Sequence, residues 1–298
     1  MTIAAWQTYL EVCRLGSFSA AAAELGYTQS AVSRQIAVLE RTAGARLLER
    51  RPRGVVPTAA GEAFRHHARI VVNEAARALQ SARDAPEHPA LPLAIGATPA
   101  IAASIVPVAL GRIEAELGPS PWTLLPALTA DLQSMAAGGE VDLAVVTDAP
   151  PELSDDPRLE RRPLGTDEMC VMVPTGHPAE SEDRVGIEVF ADEPWVEDNE
   201  GSAALLRRSA GRAGFDARIE RTAADLMGKM ALVAAGHAVA LVPGVLAPSL
   251  RRDVVAVALV DPPRRGIFAI TRVAAEPHPA VRPLLDAMTE ALAEVSGS

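Results

Sequence analysis

The sequence of 298 residues contains little of what marks a secreted, membrane-bound or disulfide-bonded protein. Its two cysteines, Cys13 and Cys170, cannot form a disulfide framework and suit a reducing compartment. No apolar run approaches the roughly 20 residues that span a bilayer. The first residues lack a basic patch followed by an apolar block, so we expect no signal peptide. These absences predict a cytoplasmic protein that does not enter a membrane.

The usual motifs of catalysis and of cofactor binding are missing as well. The sequence has no glycine-rich phosphate loop, no Gly-x-Ser-x-Gly elbow and no HExxH pattern. Its six histidines do not stand at metal-ligand spacing from cysteines or carboxylates. We therefore predict no enzyme activity, no cofactor and no metal site. Cys170 lies in an apolar run typical of a buried strand, and Cys13 belongs to another predicted domain, so structural roles are favoured over redox sensing.

Lysine is almost absent, and the charges are unevenly distributed. We interpret the single lysine, Lys229, beside 27 arginines as a coding bias. Residues 29–69 contain eight arginines and three glutamates, in a chain of net charge −10. Residues 1–88 contain 11 arginines and 8 acidic side chains, whereas the remainder carries 13 more acidic than basic ones. The length of the chain suits two or three domains. Its N-terminal part contains a basic segment that suits phosphate, whereas the remainder is acidic.

Residues 17–58 predict two helices joined by a short turn, followed by a basic hairpin. Thr28 is a suitable N-cap for the second helix, and Val32, Ile36 and Leu39 form one apolar stripe at helical spacing. The first turn then presents short polar and cationic groups outward, as a helix in the major groove of DNA requires. The predicted contacts on this helix are Gln29, Ser30, Ser33 and Arg34.

The predicted hairpin consists of residues 47–58 (LLERRPRGVVPT), with its turn at Pro52, Arg53 and Gly54. Arginines at such a tip can neutralise phosphates or enter a narrow minor groove, so we predict DNA contacts for Arg50 and Arg53. A helical stripe that begins at Ile3 and ends at Gly16 supplies a further helix of the small core. The pattern favours a winged helix-turn-helix. The alternative is an alanine-rich helical domain with a solvated basic loop.

Several short sequence motifs of this segment resemble those of the LysR-type transcriptional regulators. They are residues 16–22 (GSFSAAA), 29–36 (QSAVSRQI), 39–40 (LE), 47–50 (LLER) and 57–61 (PTAAG). The resemblance implies that Gln29, Ser30, Ser33 and Arg34 face bases and nearby phosphates and that Arg53 is the wing contact. Many members have phenylalanine at the position of Leu48, which keeps an apolar side chain there.

An uninterrupted helical pattern runs from Thr58 to about Arg83. A helix of 26 residues is about 39 Å long. Its single apolar stripe favours pairing with a second copy of the chain, and the LysR-type resemblance implies a dimerising linker helix and often a dimer of dimers. The alternative is that the helix packs against its own C-terminal domain. Residues 84–89 (DAPEHP) predict a hinge between domains.

After the hinge, short apolar runs alternate with helical patterns, which favours parallel sheets with crossover helices. Candidate strands are residues 91–96, 122–128, 141–146, 169–173, 239–242 and 266–271, and candidate helices are residues 104–117, 132–138, 203–213, 225–235 and 278–295. The resemblance continues here more loosely and implies two α/β subdomains like those of a periplasmic binding protein.

The expected fold is therefore α/β with an N-terminal all-α winged helix-turn-helix domain, a long linker helix and a two-subdomain effector domain. The expected domains are residues 1–58 (DNA-binding), 59–84 (linker), 85–90 (hinge) and 91–298 (effector-binding), the last divided into subdomain I (91–163 and 265–298) and subdomain II (164–264).

Ligands of α/β sheets bind beyond the carboxyl ends of strands, beside helix N-termini. The polar residues there are Thr98, Thr129, Thr147, Asn199 and Ser202, and the resemblance implies effector-binding roles for the corresponding positions. For each, the alternative is a helix cap or a turn hydroxyl. Many relatives sense carboxylates, but Asp148, Asp198 and Glu200 near the expected mouth make a neutral or amine-bearing effector equally compatible.

The sequence thus predicts a LysR-type transcriptional regulator whose DNA binding or bending responds to a small-molecule effector. Expected partners are double-stranded DNA, the effector and further copies of the chain in a homodimer or homotetramer, with RNA polymerase as a candidate partner. The competing interpretation is a solute-binding or enzymatic α/β protein with an accessory helical N-terminal domain.

Overall fold

A computed structural model describes residues 2–51, 54–84, 92–118, 121–149, 153–273 and 278–296. The chain divides into two compact units. The first comprises Met1–Leu91 with Ala137–Val141, and the second comprises Pro92–Ala136 with Asp142–Ser298. The predicted hinge at residues 85–90 lies outside the described residues.

The first unit contains the helices and the hairpin that the sequence predicts. Its elements in chain order are α1 (Ile3–Leu15), α2 (Phe18–Glu24), α3 (Gln29–Ala43), β1 (Leu48–Arg51), β2 (Gly54–Pro57) and α4 (Ala59–Asp84). The strands β1 and β2 form a two-stranded antiparallel sheet.

Local signals set the ends of these helices. Gly16 ends α1 with φ of 62°, in the left-handed conformation that glycine adopts without steric cost. The hydroxyls of Ser17 and Thr28 accept from the backbone N–H groups of Ala20 and Ala31 and so cap α2 and α3. The core that unites the helices with the hairpin consists of Tyr9, Val12, Ala21, Ala22, Val32, Ile36, Leu39, Leu47, Leu48 and Val55.

The second unit alternates strands and helices, as the sequence predicts. Its strands are β3 (Leu93–Ala97), β4 (Trp122–Pro126), β5 (Leu143–Thr147), β6 (Leu159–Pro174), β7 (Trp195–Glu197), β8 (Ile219–Thr222), β9 (Ala240–Pro243), β10 (Val254–Val257) and β11 (Arg264–Arg272). Its helices are α5 (Pro99–Ala103), α6 (Ile105–Leu117), α7 (Thr129–Ala137), α8 (Glu200–Arg212), α9 (Leu226–Ala234) and α10 (Val281–Ser296).

The long strand β6 joins two groups of strands. Its first part pairs with β11, which continues through β5 and β3 to β4, and its second part pairs with β9 and β10. Among the described strands, β3 runs parallel to β4 and β5, and β7 runs parallel to β8. The expectation of parallel sheets with crossover helices is thus confirmed for these strands and wrong for β6 and β11, which pair antiparallel with their neighbours.

Three groups of apolar side chains support this second unit. One contains Ile95 of β3, Leu143 of β5 and Ile267 of β11 with Leu284 and Met288 of α10. A second surrounds the second half of β6, and its members include Val171, Val173, Phe190, Trp195, Leu206 and Leu241. A third lies on the other side of the same part of β6, and its members include Cys170, Met172, Val196, Met230 and Val242. Across the described residues, no helix is long and apolar enough to cross a membrane.

Candidate DNA-binding face and ligand cavity

The helix α3 has one buried and one exposed face. Val32, Ile36 and Leu39 are buried in the core of the first unit. On the other side, Gln29, Ser30 and Arg34 are exposed, and Ser33 is half-buried. The first turn therefore presents an amide, a hydroxyl and a guanidinium at its surface, while the apolar stripe fixes the orientation of the helix.

Several hydrogen bonds hold α3 in place. The Thr28 hydroxyl accepts from the Ala31 N–H at 3.2 Å at its start. Toward its end, Oε1 of Glu40 accepts from the backbone N–H groups of Leu47 and Leu48 at 2.8 and 3.1 Å. Because Leu47 and Leu48 lead into the hairpin, the Glu40 carboxylate ties the hairpin to the exposed helix.

The hairpin is packed closely where β2 begins, beside its turn. Gly54 has φ of 131°, and a Cβ there would lie 2.6 Å from the carbonyl oxygen of Gly16. The same carbonyl accepts from the Val55 N–H at 2.8 Å. The guanidinium carbon of Arg50 lies 5.5 Å from the centre of the Phe18 ring, a cation–π contact that orients Arg50. Arg53 lies outside the described residues.

The arginines of this unit differ in how strongly they are neutralised. Arg51 pairs with Glu49 at 2.5 Å, and Arg65 pairs with Glu62 at 2.8 Å. In contrast, four exposed arginines form no ion pair with any residue in the described ranges: Arg34, Arg41, Arg46 and Arg50. These uncompensated cations give the unit a basic surface that suits phosphate.

A cavity of about 280 Å³ lies in the second unit, beyond the carboxyl ends of β3, β5 and β7. All five polar residues singled out from the sequence line it: Thr98, Thr129, Thr147, Asn199 and Ser202. The rest of the lining is largely apolar and includes Leu128, Met169, Leu205, Leu226, Val242 and Pro243. Strand ends and helix starts from both halves of the sheet thus converge on one space.

The polar lining residues differ in what they already bind. Asn199 accepts from the Ser202 N–H at 2.9 Å and so acts as the N-cap of α8. The Thr129 hydroxyl donates to the carbonyl of Thr147 at 3.2 Å. Thr98 is buried, and its Oγ1 has no hydrogen-bond partner among the described residues. A buried hydroxyl without a partner is costly, so Thr98 is the residue here that most needs a ligand atom.

A buried ion cluster forms one wall of the cavity. The Lys229 ammonium contacts Oε2 of Glu197 at 2.5 Å, Oδ1 of Asp198 at 3.2 Å and Oγ of Ser202 at 3.2 Å. Burial raises the pKa of Glu197, while Lys229 acts in the opposite direction. The second carboxylate oxygen of Glu197, Oε1, is buried and has no hydrogen-bond partner in the described part of the chain.

A second buried ion pair lies beside the cavity. Arg265 donates from Nε and Nη2 to Oδ2 of Asp167 at 3.0 and 2.8 Å. Burial raises the pKa of Asp167, against the pull of Arg265. Arg265 lines the cavity, although the sequence offered no clear arginine opposite the predicted acidic mouth. Asp148 is not among the lining residues; its carboxylate accepts from the Gly266 N–H at 2.6 Å.

Sequence reasoning missed Lys229 and Arg265 as parts of this site. Lys229 is the single lysine, which we interpreted as a coding bias, yet it is one of the largest fully buried side chains. Its signal was its position inside the otherwise uncharged segment of α9 (LMGKMALVA), because a buried cation requires acidic partners. Arg265 gave no comparable signal, since its partner Asp167 lies far away in the sequence.

The chain matches two family models. The model described as LysR substrate binding domain matches residues 86–293, and the model described as bacterial regulatory helix-turn-helix protein, lysR family, matches residues 3–62. The HTH-type transcriptional regulator ShiR of Corynebacterium glutamicum is 32% identical over 239 residues, which cover 78% of this chain and 80% of ShiR.

Two further comparisons concern a second regulator and a solved structure. The "Probable hydrogen peroxide-inducible genes activator" of Mycobacterium avium is 29% identical, over 81% of this chain and 78% of that protein. Full-length CbnR, solved in complex with its target DNA, has a similar fold, with a TM-score of 0.64 at 21% identity over 99% of this chain and 100% of CbnR.

Proposed function

The chain belongs to the LysR family of bacterial transcriptional regulators, and we propose that it reads operator DNA with α3 and senses a small molecule in the cavity. The observation that carries the DNA-binding role is the exposed first turn of α3, in a unit whose Arg34, Arg41, Arg46 and Arg50 form no ion pair with any described residue. Gln29 and Ser30 would contact base edges, Ser33 and Arg34 bases or nearby phosphates, and Arg50 and Arg53 the backbone beside them.

We further propose the domain division into residues 1–58, 59–84, 85–90 and 91–298, with 164–264 as the second subdomain. The helix α4 would pair with its counterpart in another copy. Support comes from Val71 and Leu79, large apolar side chains of α4 that are 39% and 61% exposed in the single chain. A homodimer or homotetramer would present two or more copies of α3 to half-sites about one helical turn apart.

The cavity would hold the effector between the two halves of the second unit. Thr98, Thr129, Thr147, Asn199 and Ser202 would contact it directly, and the Lys229 cluster would shape one wall. A ligand that binds the closed arrangement better shifts the population toward closure. Closure would change the spacing of the DNA-binding units within the oligomer, hence the DNA bend and the contact with RNA polymerase.

Peroxide sensing does not follow from the resemblance to the mycobacterial activator. A peroxide-reactive cysteine needs an accessible thiolate of low pKa. Here burial raises the pKa of Cys170 to about 12, and burial also raises the pKa of Cys13. Neither cysteine therefore suits peroxide sensing. We propose a ligand-responsive regulator without catalytic activity, located in the cytoplasm.

Selection of bound sequences from a random DNA pool tests the DNA-binding role. The wild-type chain should enrich a pair of related half-sites, and binding should weaken as salt rises. Arg34→Ala should abolish the enrichment or change the motif. Arg208→Ala, which removes an exposed arginine from α8 in the other unit, is the matched control and should leave the motif unchanged. Enrichment of no motif by the wild-type chain would overturn the proposal.

A further inference from the structure

The charges around the cavity restrict the chemistry of its ligand. Three carboxylates line it, those of Asp131, Asp198 and Glu200, and the buried carboxylates of Glu197 and Asp167 stand behind its cations. The cations of the lining are Lys229 and Arg265 alone among the described residues. Even after Glu200 is counted as neutralised by Arg207 at 2.7 Å, negative charge exceeds positive charge by two.

Both cations of the lining are already compensated by carboxylates. The ammonium of Lys229 has three N–H groups, and three acceptors already surround it, on Glu197, Asp198 and Ser202. Arg265 donates two of its five N–H groups to Asp167 within a buried pair, so its charge is balanced although N–H groups remain. An anionic ligand would therefore add a further negative charge to a site whose cations are already paired.

The helix N-termini at the cavity do not provide the missing positive charge either. The N-terminus of a helix carries about half a positive charge, which a carboxylate in the first turn offsets. Asp131 occupies the first turn of α7, and Glu200 occupies the first turn of α8. Asp131 is exposed and forms no ion pair with any described residue, so it adds negative charge at the mouth.

Among the described residues, two buried oxygens at this site have no hydrogen-bond partner. They are Oγ1 of Thr98, in the cavity wall, and Oε1 of Glu197, beside Lys229. Both residues are more than nine-tenths buried. The ionised Glu197 oxygen can only accept a hydrogen bond and the Thr98 hydroxyl can accept one, so a ligand that carries N–H donors suits both.

We propose, on the basis of the effector role argued above, that the effector is a small primary amine whose ammonium is held by the cavity carboxylates. Its apolar body would pack against Leu205, Leu226 and Val242. The lining contains no aromatic ring, so a quaternary ammonium ion would lack the cage that it prefers. A volume of about 280 Å³ lies just below the range of about 300–1,000 Å³ typical of drug-sized ligands.

Matched probes test the charge preference with the full-length chain. One set is 2-phenylethylamine, 2-phenylethanol and 3-phenylpropanoate, and the other is hexylamine, 1-hexanol and hexanoate. Titration calorimetry should give each amine a dissociation constant at least about tenfold below that of its carboxylate counterpart, a difference of about 1.4 kcal/mol. The alcohol should fall between the two.

Variants identify the groups responsible. Asp131→Asn removes an exposed carboxylate that forms no ion pair with a described residue, so the variant should fold normally. It should reduce the ratio between the dissociation constants of the carboxylate and of the amine. Asp198→Asn should reduce this ratio further. Asp261→Asn removes an exposed carboxylate that does not line the cavity, and this control should leave the ratio unchanged.

The outcomes separate this inference from the effector role itself. Ala130→Trp would partly fill the cavity from an exposed lining position. Equal or tighter binding of the carboxylates, abolished by Ala130→Trp, would overturn the amine preference and leave the effector site standing. Binding of no probe, or binding that Ala130→Trp does not affect, would overturn both.

Discussion

The ammonium nitrogen of Lys229 lies 2.5 Å from Oε2 of Glu197, and both side chains are almost completely buried. The pair joins α9 to the end of β7, two elements that border the proposed effector cavity. Taking two charges out of water is expensive, and each partner compensates the other. The pair therefore makes the shape of this wall sensitive to the loss of either charge.

Lys229→Met should destabilise the second unit by about 3–5 kcal/mol, because it leaves Glu197 as a buried, uncompensated carboxylate. Chemical denaturation monitored by circular dichroism measures the change. The double variant Lys229→Met/Glu197→Gln should recover part of the loss, since it removes the uncompensated charge. If the single variant lowers the free energy of unfolding by less than about 1 kcal/mol, Lys229 does not compensate the charge of Glu197 in the way described.

Glu40→Ala should lower the specificity of DNA binding. The substitution removes the acceptor of the Leu47 and Leu48 N–H groups, and unsatisfied donors cost about 1–3 kcal/mol. It also removes a negative charge, which strengthens non-specific binding. Competition experiments should therefore show a lower ratio of the affinity for selected DNA to the affinity for random DNA.

Glu62→Ala is the matched control for that experiment. It removes the same charge from an exposed pair with Arg65 and leaves the link between α3 and the hairpin intact. An equal fall of the ratio in both variants would mean that charge, and not the position of the hairpin, determines the effect.

Gln29→Ala and Arg50→Ala should impair DNA binding in different ways. Arg50→Ala should weaken binding to all sequences and reduce the slope of log K against log salt concentration by about one. Gln29→Ala should leave that slope unchanged and relax the base preference at one position of each half-site, at a cost of about 1–3 kcal/mol for the preferred base. Fluorescence anisotropy at several salt concentrations separates the two patterns. Equal losses on selected and random DNA for Gln29→Ala would remove that residue from base reading.

Cys170 should resist alkylation in the folded protein. Burial raises its pKa to about 12, so at pH 8 its thiolate fraction is roughly three orders of magnitude below that of a free cysteine with a pKa of about 8.5. A group whose pKa is raised by folding stabilises the folded state below its unfolded pKa, and this contribution is lost as pH rises from about 8.5 toward 12. Iodoacetamide labelling followed by mass spectrometry should modify Cys170 only after denaturant is added. Rapid labelling of the native chain, or peroxide-dependent loss of DNA binding that Cys170→Ser prevents, would contradict the structural role.

The first unit could be predicted from sequence because its signals are local. The left-handed Gly16 directly follows the end of α1 at Leu15, and the cap at Thr28 directly precedes the start of α3 at Gln29. The stripe of Val32, Ile36 and Leu39 is the buried face of α3. The long helix was expected from Thr58 to about Arg83 and runs from Ala59 to Asp84.

The second unit was harder because its pairing is not local. The first half of β6 (LERRPLGTDE) has four consecutive exposed residues at 160–163, the last of them Pro163, so it lacks the apolar alternation of a strand. It is a strand because β11, about a hundred residues later, pairs with it. The cavity residues that follow strand ends were found from topology. Lys229 and Arg265 were not, because their roles depend on distant carboxylates.

Methylation protection of selected operator DNA tests the central claim most directly. Dimethyl sulfate modifies guanine N7, which faces the major groove where α3 is proposed to lie. The wild-type chain should protect guanines in two half-sites about one helical turn apart, and Gln29→Ala or Arg34→Ala should restore the reactivity of particular guanines. Guanines that remain as reactive as in free DNA throughout the half-sites, in a complex that still binds with sequence preference, would show that α3 does not read the major groove.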